Sequence, residues 1–124
     1  MDIQPHDRFI FHIALRTQWE HARNQDAYRG ETLEREGFIH CSTLGQVLGV
    51  ANAVFRGRHD LLLLLIQTSG VSSPLRYEGA TSEKYPHIYG PIPREAVITV
   101  YDFLPDEQGR FSLPPEVIKQ QEGW

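Results

Sequence analysis

Hydrophobic residues along this chain recur in short runs with two different periods, and the runs alternate. In Phe9-Ile10-Phe11-His12-Ile13-Ala14 a strand places Phe9, Phe11 and Ile13 on one face and Ile10, His12 and Ala14 on the other. Both faces are mostly apolar, so Arg8 to Ala14 is expected as a central strand. Thr17-Gln18-Trp19-Glu20 fits a capping box that opens a short helix to about Asn24, with Trp19 in the core. Tyr28-Arg29-Gly30 reads as a turn, and Thr32 to Glu36 as a brief helical turn closed by Gly37 in a left-handed conformation.

Phe38 to Cys41 is then a short strand. A second capping box, Thr43-Leu44-Gly45-Gln46, places Ser42 and Thr43 at a strand-to-helix junction. The helix after it carries Val47, Val50, Ala51, Val54 and Phe55 at helical spacing and stops at Gly57. Asp60 to Thr68 is a buried strand, Pro74 to Tyr77 another, and Ala96 to Phe103 a last long one. Prolines at 86, 91 and 93 make Pro86 to Pro93 an ordered loop carrying His87 and Tyr89. Beyond Leu104 a turn leads to a weak tail helix, Pro114 to Gln121. The order is α+β: small sheets with the helices segregated to one side.

Composition narrows the field. The 124 residues suit one domain, with a folded region of about 8–104 and a tail over 105–124. A net charge of −4 without a Lys/Arg cluster offers no footprint for DNA or an anionic membrane. The lone Cys41 excludes an internal disulfide and fits a reducing cytoplasm. Met1 to Arg8 lacks the pattern of a signal peptide, and Leu61 to Ile66 is too short to span a bilayer. A cytoplasmic protein is expected.

Candidate chemistry comes from histidines that interrupt apolar runs. His12, His40 and His87 each sit beside bulky apolar residues, where an unpaired imidazole is costly. Each taken alone is a satisfied core histidine; together they point to one polar pocket. Ser42 and Thr43 are good helix caps, and the same junction offers backbone N–H groups to a phosphate. Cys41 and His40 point to opposite faces of a strand, so Cys41 reads as a small buried hydrophobe rather than a nucleophile. A three-histidine zinc site matches no short motif, and no metal is expected. Glu78 at a strand end is a general-base candidate or a solvated turn residue, and Glu36 a supporting or surface charge. Tyr28 and Tyr89 are candidates for stacking on a flat ring.

These residues also carry a resemblance. Phe11-His12-Ile13, Trp19, Tyr28-Arg29-Gly30, Glu36 to Ser42, Gln46, Ala51, Phe55, Leu61 to Ile66, Tyr77-Glu78 and Pro86 to Pro91 resemble the DUF952 family, small bacterial proteins of unassigned activity. That family looks related in fold to the ADP-ribosyltransferases, which bind NAD in a cleft between two small antiparallel sheets. The resemblance implies NAD or an ADP-ribose-like nucleotide as ligand, and ADP-ribosyl transfer as a candidate activity. His12 and His40 would then hold ribose hydroxyls, Arg29 a phosphate, and Tyr28 or Tyr89 the nicotinamide. Ser42 and Thr43 would lie beside the cleft, and Glu78 or His87 would stabilise the charge that develops at C1′. The late-strand glutamate motif of those enzymes is absent around Glu78. The competing expectation is a catalytically silent ligand-binding or protein-interaction domain whose histidines form a structural network. A hydrolase using the same histidines as acid and base is a third.

Overall fold

The computed structural model describes residues 7–121; Met1 to His6, read above for a leader sequence, and residues 122–124 lie outside it. The chain forms three antiparallel sheets, with strand orders β1-β4-β8, β3-β6-β5 and β2-β7. Their ranges are β1 (Phe9–Leu15), β2 (Ala27–Tyr28), β3 (Ile39–His40), β4 (Leu61–Gln67), β5 (Leu75–Glu78), β6 (Tyr85–Ile88), β7 (Ile92–Pro93) and β8 (Val97–Phe103). The helices are α1 (Arg16–Ala22), α2 (Thr32–Glu36), α3 (Val47–Val54) and α4 (Pro115–Gln121).

The central strand of the first sheet is β4, not β1 as the sequence suggests. Leu61 to Ile66 are all buried, because β4 has a partner strand on each edge and a core on each face. The two residue sets of β1 separate as their alternation predicts. Ile10 and Ala14 join Leu62, Leu64 and Ile66 in one core; Phe11 joins Leu61, Leu63 and Leu65 in the other. On the outer edge of β1, Phe11 exchanges two backbone hydrogen bonds of 2.8 Å with Ser42.

Helices cover both faces of this sheet, which corrects the one-sided expectation. Trp19 and Ala22 of α1 pack into the first core, whereas Val47 and Ala51 of α3 and Val117 of α4 pack into the second. The segment read as a tail supplies Phe111 and Val117 to that second core, at 5% and 0% exposure. Asn52 fixes it by accepting the Phe111 N–H at 2.7 Å and donating to the Phe111 carbonyl at 3.3 Å.

The stretch expected as a loop, Pro86 to Pro93, begins with residues of β6, the middle strand of its sheet. Proline is tolerated there for a geometric reason. In an antiparallel ladder the N–H and C=O of one residue face the same neighbour. The Pro86 carbonyl accepts the Cys41 N–H at 2.9 Å, so the missing donor falls on the β3 side, where β3 ends at His40. On the other side, where Pro86 lies opposite Tyr77, no donor is required.

Tyr28 lies on β2, paired with Ile92, rather than in a turn. Neither capping box forms as drawn. Helix α1 starts at Arg16 with Leu15 at its N-cap, and α3 starts at Val47 with Gln46 at its N-cap. Half of the second box survives, since the Gln46 side chain accepts the Thr43 N–H at 3.0 Å. Helix α2 and its closing Gly37, at φ 90°, match the sequence reading.

Candidate functional site

One cleft of about 620 Å³ opens between the end of β1, the β3-β6-β5 sheet and helix α3. Six of the sequence candidates line it: His12, Tyr28, His40, Ser42, Glu78 and His87. Two do not. Arg29 is exposed, and neither Arg29 nor Thr43 lies on the cleft wall. Tyr89 stands outside the lining and reaches it through Glu78.

At the floor, His12 is 9% exposed and both of its ring nitrogens are engaged. The His40 carbonyl can only accept, so Nδ1 carries the proton and donates it across 2.6 Å. Nε2 is then the lone-pair nitrogen that accepts the Tyr28 O–H at 2.9 Å. Burial disfavours the imidazolium and lowers the His12 pKa to about 4, against a smaller upward pull from the His40 carbonyl. The same burial pushes the Tyr28 phenol and the Cys41 thiol above their usual ranges. Both ring nitrogens of His12, the residue to which the resemblance assigned a ribose, are therefore bonded within the fold.

The rim is built differently. His40 and His87 lie directly opposite each other on β3 and β6, and Arg76 lies opposite His87 on β5. Direct cross-strand neighbours share a sheet face, as do residues two apart on one strand. Phe38, His40, His87, Tyr89, Arg76 and Glu78 therefore converge on one face, while Ile39, Cys41 and Ile88 point into the core. The Phe38 ring stacks on His87 at 4.2 Å, and the His40 and His87 rings meet edge-on at 5.2 Å.

Each rim histidine is backed by a carboxylate. Glu36 Oε1 lies 3.1 Å from His40 Nε2, one helical turn earlier in the chain. Glu78 Oε1 accepts His87 Nδ1–H at 2.9 Å and the Tyr89 O–H at 2.5 Å. The Tyr89 hydrogen bond, then that from His87, holds the Glu78 carboxyl below the usual carboxylate range. Glu78 raises the Tyr89 phenol in return. His87 is 12% exposed and His40 half exposed, so His87 is the more enclosed of the two.

The third wall is helix α3 and its neighbours: Gly49, Val50, Ala53, Val54 and Phe55, facing Ile13 and Leu15 of β1. Gly49 on this wall has open space where a Cβ would stand. The phosphate-cradle reading of Ser42 and Thr43 is not available. The Ser42 N–H goes to the Phe11 carbonyl and the Thr43 N–H to Gln46. Among the described residues no three His, Cys, Asp or Glu side chains are grouped to hold a metal ion.

Sequence reasoning left Glu36 undecided and gave no role to Phe38, Arg76 or the α3 wall. Glu36 and His40 are four apart across the α2–β3 junction. Phe38 and Arg76 were findable from strand alternation once their neighbours His40 and Glu78 were singled out.

No helix among the described residues is long and apolar enough to cross a membrane. No curated protein matches the chain. The crystal structure of CC0527 from Caulobacter crescentus is similar at 27% identity, covering 89% of this chain and 98% of that one, with a TM-score of 0.79. The solution NMR structure of CC0527 covers 92% and 97%, also at 27% identity, with a TM-score of 0.72. These likenesses support a small mixed fold of antiparallel sheets and few helices, and they carry no activity. The family described as "Protein of unknown function (DUF952)" matches residues 13–100, and the chain belongs to it.

Proposed function

We propose that the cleft binds a nucleotide of the NAD or ADP-ribose type, with Glu78 facing the sugar carbon where positive charge develops as a glycosidic bond weakens. The observation that carries this reading is Glu78 itself. It is an ionised carboxylate on the cleft wall, held in one orientation by the Tyr89 hydroxyl and His87 Nδ1–H. A preoriented charge that needs no reorganisation during reaction is the form electrostatic stabilisation takes in enzymes. The apolar α3 wall suits the base, and half-exposed His40 suits a ribose hydroxyl. The diphosphate belongs at the open side of the cleft, since the Ser42 and Thr43 amides are already bonded.

Calorimetric or NMR titration with NAD, ADP-ribose and nicotinamide tests the reading. Saturable binding that weakens in Glu78→Gln and His40→Ala is the expected result. Absence of binding at millimolar ligand overturns it.

A second reading, a catalytically silent domain with a structural histidine network, is favoured by His12. Both of its ring nitrogens are satisfied inside the fold, which is what that reading requires. The two readings divide the histidines between them: His12 holds the architecture, and His40 and His87 face the ligand.

A further inference from the structure

One wall of the cleft is an open strand edge, and we propose that an extended, uncharged polypeptide segment binds there by strand addition to β1. The inference goes beyond the nucleotide reading and does not rest on it. In an antiparallel ladder each residue turns its N–H and C=O to one neighbour, and successive residues alternate sides. The alternation in β1 is fixed at three points. The Arg8 carbonyl accepts the Thr68 N–H and Arg16 donates to the Asp60 carbonyl, so even positions face β4. Phe11 exchanges both of its bonds with Ser42, so odd positions face away from it. The register with β4 runs unbroken from Phe9 to Leu15.

Ile13 and Leu15 therefore turn their backbone groups to the outer edge, and both line the cleft. The Leu15 carbonyl serves α1, where Leu15 is the N-cap. Among the described residues nothing hydrogen-bonds the Ile13 N–H, the Ile13 C=O or the Leu15 N–H. The rung after Phe11–Ser42 would join Ile13 to His40. The His40 carbonyl instead accepts His12 Nδ1–H at 2.6 Å, and the ladder stops after one rung.

The far edge of the same sheet is built differently. There β8 carries a bulge opposite Leu65 and Ile66 and an exposed charge, Asp102, two devices that discourage chance pairing. Ile13 to Leu15 carry neither, and they open into a cleft of about 620 Å³.

The walls define the occupant. A residue placed opposite Ile13 shares its face of the sheet, which packs with Val47 and Ala51 of α3. Its side chain meets Val50, Ala53 and Val54, and Val54 is 66% exposed. The next residue turns to the side of His12. The arginine and glutamates of the wall are matched within the fold: Arg58 by Asp60 at 2.5 Å, Glu31 by Arg35 at 3.5 Å, Glu78 by His87 at 2.9 Å. No charge is needed on the ligand. Main-chain bonds to Ile13 and Leu15 hold it, and apolar side chains at alternate positions give it specificity.

The probe is a capped pentapeptide alternating threonine with valine, titrated into the full chain by NMR with amide hydrogen exchange. Its control is the same peptide N-methylated at both valines, which keeps the side chains and removes the donors to Ile13. Saturable binding is expected, with the Ile13 and Leu15 amides slowed in exchange. The methylated peptide should bind at least about tenfold more weakly. Val54→Asp, at an exposed position, should weaken binding without unfolding the chain.

No binding at millimolar peptide, equal affinity of the methylated peptide, or binding that leaves both amides unchanged overturns the inference. Slowing that grows with protein concentration alone makes a second copy the occupant and overturns it too. NAD and ADP-ribose are titrated separately. Their binding without that of the peptide keeps the nucleotide reading and removes this one; peptide binding without theirs does the reverse.

Discussion

His12 Nδ1–H and the His40 carbonyl lie 2.6 Å apart, joining β1 of one sheet to β3 at the edge of another. The bond occupies the ring nitrogen of one histidine and only the backbone of the other, so the His40 side chain stays at the rim. Replacing His12 by Ala leaves the His40 carbonyl and the Tyr28 hydroxyl without their partner. Each buried unpaired group costs roughly 1–3 kcal/mol, so His12→Ala should lose about 2–6 kcal/mol in denaturant unfolding. An unchanged unfolding midpoint would show that this bond does not hold the two sheets together.

The same residue sets a pH dependence. Its pKa in the folded protein is lowered to about 4 from an ordinary 6.5, so the unfolded chain binds more protons between those values. Stability is therefore fully present above pH 6.5 and is lost as pH falls toward 4. By the same linkage about 2 kcal/mol should disappear between pH 7 and pH 5. The carboxyls held low, Glu78, Asp60 and Asp106, act mainly below this window, since their ordinary range is about 4. Chemical denaturation at pH 7 and pH 5 should show the loss in the native protein and a flatter response in His12→Asn. Equal slopes in both would place the titrating group elsewhere.

Where one element's own periodicity decided its state, the sequence was enough. The two faces of β1, the Leu-rich β4 and helix α2 with Gly37 all follow from residues within a few positions of each other. Pro86 is the counter-example. Whether its missing N–H matters depends on which edge of β6 it faces, and that is set by pairing with Cys41 nearly fifty positions earlier. The site divides the same way. The three histidines were visible as polar interruptions, but their roles were not. The second nitrogen of His12 is closed by Tyr28, which lies in a separate two-stranded sheet. His87 is oriented because the β5–β6 hairpin brings Glu78 beside it. Arg29, given a phosphate by the resemblance and not by its neighbours, lies off the cleft.

Tyr89→Phe tests the wiring of the rim. The phenol is the first cause of the low Glu78 pKa, with His87 second. Removing its hydroxyl should raise the Glu78 carboxyl toward the ordinary range while His87 retains part of the effect. Side-chain carboxyl shifts followed by NMR through an acid titration read this directly. A Glu78 titration identical in Tyr89→Phe and the native chain would show that the phenol does not donate in solution. Because Glu78 is solvent-facing, the substitution should leave global stability close to that of the native protein.

The C-terminal segment supplies the sharpest test of where the fold ends. Nothing in the spacing of Phe111 or Val117 marks them as core, because single apolar residues in a Pro- and Gly-containing stretch have no periodicity to reveal a buried face. Yet Phe111 stacks on Phe103 at 4.7 Å, and Val117 is fully buried against the face of β4 and β8 that α3 also covers. Tyr101 donates its hydroxyl to Gln120, and Gln120 donates to Thr99 at 3.3 Å, so α4 is also tied to the outer strand. Truncating a buried aromatic to alanine costs about 3–5 kcal/mol, and Phe111→Ala should reach that range. The control is Glu107→Ala in the exposed turn just before it, expected within about 0.5 kcal/mol of the native chain. If Phe111→Ala unfolds at the same denaturant concentration as that control, the segment after Leu104 is a tail. If it loses the full amount, α3 and the apolar wall of the cleft depend on residues beyond the last strand.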